Sequence, residues 1–246
     1  MVRVKFSDPN KPRYEVPLSV IQGPVNAPVD PESSLLVFNF TTWPDPFQFQ
    51  ILRRSTGEAL FDTSHSPLVF KDQYLFLRTV LPKDANIFGL GEHSGTFRFN
   101  TSEESIIRTF WARDSPGIPY PSNLYGAHPI YVEYRQQSQM AHGVFLKNSN
   151  GMDVKFRNEN NFASLEYNVI GGILDFYFFA GDGGLGNEGD AKAVAREYST
   201  VIGTPIMPPY WNLGVCNSDF PVHNREWYID PNFTVTPVPV GIQRLV

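Results

Sequence analysis

The stretch "FQFQILRRSTGEALFDT" (47–63) alternates apolar Phe47, Phe49 and Ile51 with Gln48 and Gln50, turns at "STGE", and enters a second short run. A period of two marks a strand with one buried face, because successive side chains point to opposite sides of the pleat. Two such runs joined by a glycine-containing turn predict a hairpin. Outward from it, "VRVKF" (2–6), "RYEVPL" (13–18), "SSLLVFNFTTW" (33–43) and "SPLVFKDQYLFLRTVL" (66–81) read as strands. So do "IYVEYR" (130–135), "AHGVFLKNS" (141–149), "MDVKFRN" (152–158) and "SLEYNVIGGILDFYFFAG" (164–181). Runs at this spacing, parted by Gly, Asn, Pro and Ser, predict an all-β antiparallel β-sandwich rather than a parallel α/β sheet.

One segment breaks the period. "GDAKAVAREYSTVIG" (189–203) places Ala191, Val194, Ala195, Tyr198 and Val201 on one helical face, with Asp190 as N-cap and Gly203 as stop. This predicts one short helix. No internal repeat and no heptad is present.

Composition narrows the function. With 246 residues, 41% hydrophobic and 14% aromatic, the chain can bury a sizeable core. A net charge of −5, from 20 basic and 25 acidic residues, argues against nucleic acid, and no basic stripe is available to neutralise phosphates. No run is long and apolar enough to predict a membrane span, and "MVRVKFSDPNKP" (1–12) holds no apolar leader core. The lone Cys216 makes no internal disulfide, whereas Asn39, Asn100 and Asn232 stand in glycosylation-type triplets. The compartment stays open between those signals.

Motifs of catalysis are weak. His65, His93, His128, His142 and His223 show no metal-ligand spacing, so no metal and no cofactor is predicted. Glu92–His93 in "GLGEH" suggests an acid–base pair, but it reads better as polar groups pinning a glycine-rich loop. The same glycines lack the spacing and the Lys-Ser/Thr ending of a phosphate loop. "NSNGMD" (148–153) lacks the acidic positions of a calcium loop and reads as a turn whose Asn-Gly supplies positive φ. Cys216 reads as a buried apolar residue.

Several blocks resemble, in order and spacing, the N-terminal part of family 31 glycoside hydrolases, the α-glucosidase family, especially its fungal secreted members. They are "RRSTGEALFDTS" (53–64), "FGLGEHSGTFRFNT" (88–101), "RTFWARDSPGIPYPSNLYGAHPIYVEYR" (108–135), "HGVFLKNSNGMDV" (142–154), "GGILDFYFFAG" (171–181) and "MPPYWNLG" (207–214). The resemblance implies a galactose mutarotase-like supersandwich that packs against a catalytic (β/α)8 barrel, with "PPYWNLG" leading into the first barrel strand. Such a barrel takes roughly 250 residues. The residues after Gly214 depart from the family, and its Trp-x-Asp-Met-Asn-Glu nucleophile motif is absent from this sequence. Retaining hydrolysis needs two carboxyl groups about 5 Å apart across the sugar; neither can be assigned, so no catalytic residue is predicted.

The implied organisation is a sandwich domain over 1–189, a helix and linker over 190–214, and a divergent tail over 215–246. The best sugar-contact stretch is "WARDSPGIPYPSNLYG" (111–126), a proline-stiffened loop offering Trp111, Arg113, Asp114, Tyr120, Asn123 and Tyr125. An aromatic face with a few fixed polar groups suits sugars, which carry both C–H faces and hydroxyls. In family members the equivalent loop reaches over the barrel mouth, and its aspartate, here Asp114, contacts sugar. Two readings follow. In one, the chain is a non-catalytic, lectin-like carbohydrate-binding protein, gaining avidity as a homo-oligomer. In the other, it is a fragment or light subunit that works only with a separate catalytic α-glucosidase chain.

Overall fold

The structure, a computed structural model, describes residues 1–23, 30–41, 46–101, 103–112, 115, 117, 119–159, 162–184 and 187–209. Thirteen strands and one α-helix follow the chain: β1 (Val2–Phe6), β2 (Leu36–Thr41), β3 (Gln48–Arg53), β4 (Ala59–Asp62), β5 (Val69–Lys71), β6 (Tyr74–Leu81) and β7 (Asn86–His93). After these come β8 (Ser105–Phe110), β9 (Asn123–Arg135), β10 (Met140–Leu146), β11 (Met152–Glu159), β12 (Phe162–Val169), β13 (Leu174–Phe179) and α1 (Ala191–Ile202). They form two five-stranded sheets, ordered β1-β13-β10-β9-β7 and β5-β6-β12-β11-β8, and a three-stranded sheet β2-β3-β4. All the pairings are antiparallel. The all-β sandwich with one short helix stands as the sequence predicts.

The three sheets share one core. Phe176 and Phe178 of β13, Tyr167 of β12 and Phe49 and Phe61 of the small sheet are all buried in it. Tyr167 and Phe176 meet edge to face with ring centroids 5.1 Å apart, as do Phe61 and Phe178 at 5.1 Å. The β3–β4 hairpin forms as the opening stretch predicts: burial alternates along β3, and Gly57 turns at φ 71°.

Strand β13 departs from alternation because both its faces are covered. Leu174, Phe176 and Phe178 enter the shared core, while Tyr177 and Phe179 join Val194 and Val201 of α1 in a second cluster. On the face of Tyr177 and Phe179 lies Asp175, fully buried, gripped by Arg3 through two hydrogen bonds of 2.7 and 2.8 Å and by Lys147 at 3.6 Å.

The helix has its predicted cap, the Asp190 carboxylate accepting from the Lys192 amide at 3.0 Å, and ends at Gly203 with φ 93°. Its buried face differs from the predicted one: Ala193, Val194 and Val201 are buried, while Ala191 and Ala195 are exposed. Val194, Tyr198 and Val201 of the predicted face do pack into the second cluster, so the face changes only at its alanines. "RYEVPL" forms no strand; Pro12 precedes it and Pro17 lies within it, and a proline donates nothing to a ladder. Compact packing runs over Met1–Gly203 and thus includes α1, with Thr204–Val246 a separate unit. Cys216, His223 and Asn232 lie outside the described residues.

A buried polar cluster braces the far side of the first sheet. Arg53, fully buried, donates to the carbonyls of Ala141 at 2.9 Å and Ala180 at 3.0 Å and pairs with Glu188 at 3.1 Å. Arg135 lies 2.7 Å from the buried Glu133 carboxylate, which sits 3.5 Å from buried His142. Burial pushes the Glu133 carboxyl up to about 7 against the pull of Arg135. It drives His142 well below its ordinary value, helped by Arg135 and Arg53, so that ring is neutral.

Candidate functional site

Three exposed rings stand at the β8–β9 connection: Trp111 and Tyr120 within it and Tyr125 at the start of β9 are 62%, 72% and 59% exposed. The base of this loop is pinned. The Asn123 side-chain amide donates to the Trp111 carbonyl. The Ser94 hydroxyl donates to the Pro119 carbonyl at 2.5 Å and accepts from the Ser122 amide at 3.0 Å. The Glu92 carboxylate accepts from the Gly126 amide at 2.7 Å. "GLGEH" is therefore the end of a strand that clamps this loop, with Glu92 and His93 serving different partners. Arg113 and Asp114 lie outside the described residues.

The predicted contact residues separate into two places. Trp111 stands at one end of a cleft of about 650 Å³, floored by Phe110, Phe145 and Met152, with His128, Lys147, Asn148 and Asn150 as its polar groups and Tyr198 and Ile202 of α1 opposite. The indole lies over Gly151, where an added Cβ would come within 2.6 Å of the ring. Gly151 thus supplies room, not positive φ, which corrects the turn reading of "NSNGMD". That turn is built by Asn148, whose carbonyl oxygen accepts from the Asn150 amide at 2.7 Å while its NH2 donates to the carbonyls of Gly171 at 3.0 Å and Ile173 at 2.8 Å.

Tyr120 faces the other place, a pocket of about 410 Å³ shared with His93, Thr96, Glu103, Ser105 and Arg108. Arg108 is buried and lies 4.8 Å from the Phe99 ring centre. One of its terminal nitrogens lies 3.4 Å from His93 Nε2. Burial first, and Arg108 second, hold His93 below its ordinary value, so its ring is the acceptor in that contact. Sequence reasoning found neither the Asn148–Asn150 wall of the cleft nor the His93–Arg108 pair. Only strand pairing brings these positions to the loop, and no spacing in the sequence announces it.

Residues 1–154 match the family model for the glycosyl hydrolase 31 N-terminal galactose mutarotase-like domain. The chain belongs to this family. It is 46% identical over 217 residues to a probable alpha/beta-glucosidase of Arthroderma benhamiae, covering 87% of this chain and 24% of the relative. It is 43% identical over 216 residues to an alpha-glucosidase of Mucor javanicus, covering 87% of this chain and 23% of that enzyme. The chain thus spans less than a quarter of the length of these relatives. What it matches is the N-terminal region of the family 31 enzymes, and their catalytic domain lies outside the match. Among solved structures, a family 31 dextranase of Flavobacterium johnsoniae complexed with glucose aligns with 27% identity and a TM-score of 0.56, over 74% of this chain and 20% of the dextranase. A cycloalternan-forming enzyme of Listeria monocytogenes aligns with a TM-score of 0.58 over 86% of this chain and 20% of its own, at 13% identity, which speaks for the fold alone.

Proposed function

We propose that this family 31 sandwich is a non-catalytic carbohydrate-binding domain, holding a sugar against Trp111 at the mouth of the cleft. The observation that carries the reading is the exposed indole, lying over Gly151 beside an opening of about 650 Å³ lined also by His128, Lys147 and Asn150. A ring face for the C–H side of a sugar and polar side chains for its hydroxyls are what such a ligand needs. α-Linked glucose is the ligand class, by analogy with the glucosidases this chain resembles. The test is calorimetric titration of the full chain with maltose and isomaltose, with tryptophan fluorescence as a second signal. Saturable binding that Trp111→Ala weakens supports the reading, and no binding by the intact chain overturns it.

A second reading has its own support. Exposed apolar residues gather around the loop: Ile107, 49% exposed, shares the pocket of Tyr120, and Ile170, 55% exposed, lies beside Gly151. Exposed apolar residues of this kind suit a docked partner, and the partner proposed is an α-glucosidase catalytic domain. Binding of maltose only after a family 31 barrel chain is added, with a matching rise in mass by light scattering, supports this reading over the first.

A further inference from the structure

The pocket beside Tyr120 holds a charge that no ion pair among the described residues neutralises. Arg108 is only 8% exposed. Its Nε is buried without a hydrogen-bond partner, and its contact with His93 at 3.4 Å is with a neutral ring. A buried guanidinium is costly to desolvate unless something anionic satisfies it. Among the described residues, the carboxylate that acts on it is Glu103, exposed at the pocket rim and held instead by Asn100 at 3.1 Å. The free end of the guanidinium opens into about 410 Å³ lined by Thr96, Ser105 and Tyr120, whose hydroxyls suit the second oxygen and any polar substituents of a ligand.

We propose that this pocket binds a small carboxylate, seated on the guanidinium of Arg108. The planar fork of one arginine matches a carboxylate in two parallel hydrogen bonds. Phosphate is disfavoured: it would bring close to two negative charges to a single cation with Glu103 at the rim. The volume takes a free acid as large as a hexuronate. The site is separate from sugar holding at Trp111, so either can fail while the other stands.

The experiment titrates the full chain at constant ionic strength with acetate, glucuronate and inorganic phosphate, with glucose as the neutral control, and follows the His93 ring signals by NMR. Acetate and glucuronate are expected to move those signals and glucose to leave them. Glu103→Gln removes the repelling rim charge and is expected to tighten glucuronate binding about twofold, whereas Arg108→Gln weakens it about tenfold or more. If Arg108→Gln does not fold, Glu103→Gln decides. The proposal is overturned if neither carboxylate moves His93, if glucose moves it equally, if phosphate binds more tightly than acetate, or if Glu103→Gln leaves glucuronate affinity unchanged.

Discussion

Strand β13 and the Trp111–Tyr125 loop are both rich in aromatic rings, yet they use them in opposite ways. In β13 every residue is buried, with rings packed on two faces and the Asp175 carboxylate covered on one of them. At the β8–β9 connection and the start of β9, three rings stand more than half exposed beside backbone held by Ser94 and Glu92. An aromatic run therefore says little about function until its surroundings are known. Rings that stabilise are covered by the fold, and rings that are to bind are left open.

The contrast can be broken by substitution, and the largest effect belongs to the strand. Phe176→Ala, which removes a ring touching Phe61, Tyr167 and Phe178, should cost about 3–5 kcal/mol in denaturant unfolding. A loss under about 1 kcal/mol would mean the core is not seated on β13. Asp175→Ala strands Lys147, 3% exposed, and should cost about 3 kcal/mol. The protein should regain part of this when Lys147→Met is added, a double-mutant cycle that tests the pairing directly.

A pH effect comes next. The Glu133 carboxyl titrates at about 7 when folded, against 4.5 for the free group. Between those values the folded state binds more protons than the unfolded one, so the contribution is fully present below 4.5 and is lost as pH rises through 7. Glu133→Gln does not titrate and should gain on the wild type by up to about 1 kcal/mol per pH unit across that window. Urea midpoints measured at several pH values check this; a difference that does not change with pH would refute the raised carboxyl.

The loop should respond in the reverse sense. Trp111→Ala is expected to change stability by less than about 0.5 kcal/mol while lowering maltose affinity about tenfold. Smallest of all, Gly151→Ala places a methyl within 2.6 Å of the indole. Because that ring is exposed it should swing aside, shifting the tryptophan emission with almost no loss of stability.

Much of the sandwich is legible in the sequence where one face of a strand is wet. Phe47, Phe49 and Ile51 alternate because one side of β3 meets solvent, and Gly57 marks the turn after it. Legibility ends where both faces are covered: "LDFYFF" carries no period, and only the finished packing tells which ring faces which layer. "RYEVPL" misleads because its alternation is real, but its prolines cannot enter a ladder. At the candidate site, the composition of residues 111–126 points to an exposed aromatic loop. The partners of that loop are another matter: His93 reaches Arg108 and Tyr120 through the pairing of β7 with β9, and Asn148 reaches Trp111 through the turn after β10.

The pairing of β1 with β13 also sets a timetable for biosynthesis. Arg3 must find Asp175, a partner 172 positions later in the chain. At translation speeds of 5–20 residues per second, the first strand waits roughly 10–30 s before the ribosome delivers its neighbour. Throughout that interval "VRVKF" is an unclaimed sticky ribbon, and β10 keeps one open border until β13 arrives. Quality control in the cell would have to tolerate or shield that wait, and a variant that weakens the Arg3–Asp175 clasp would lengthen it.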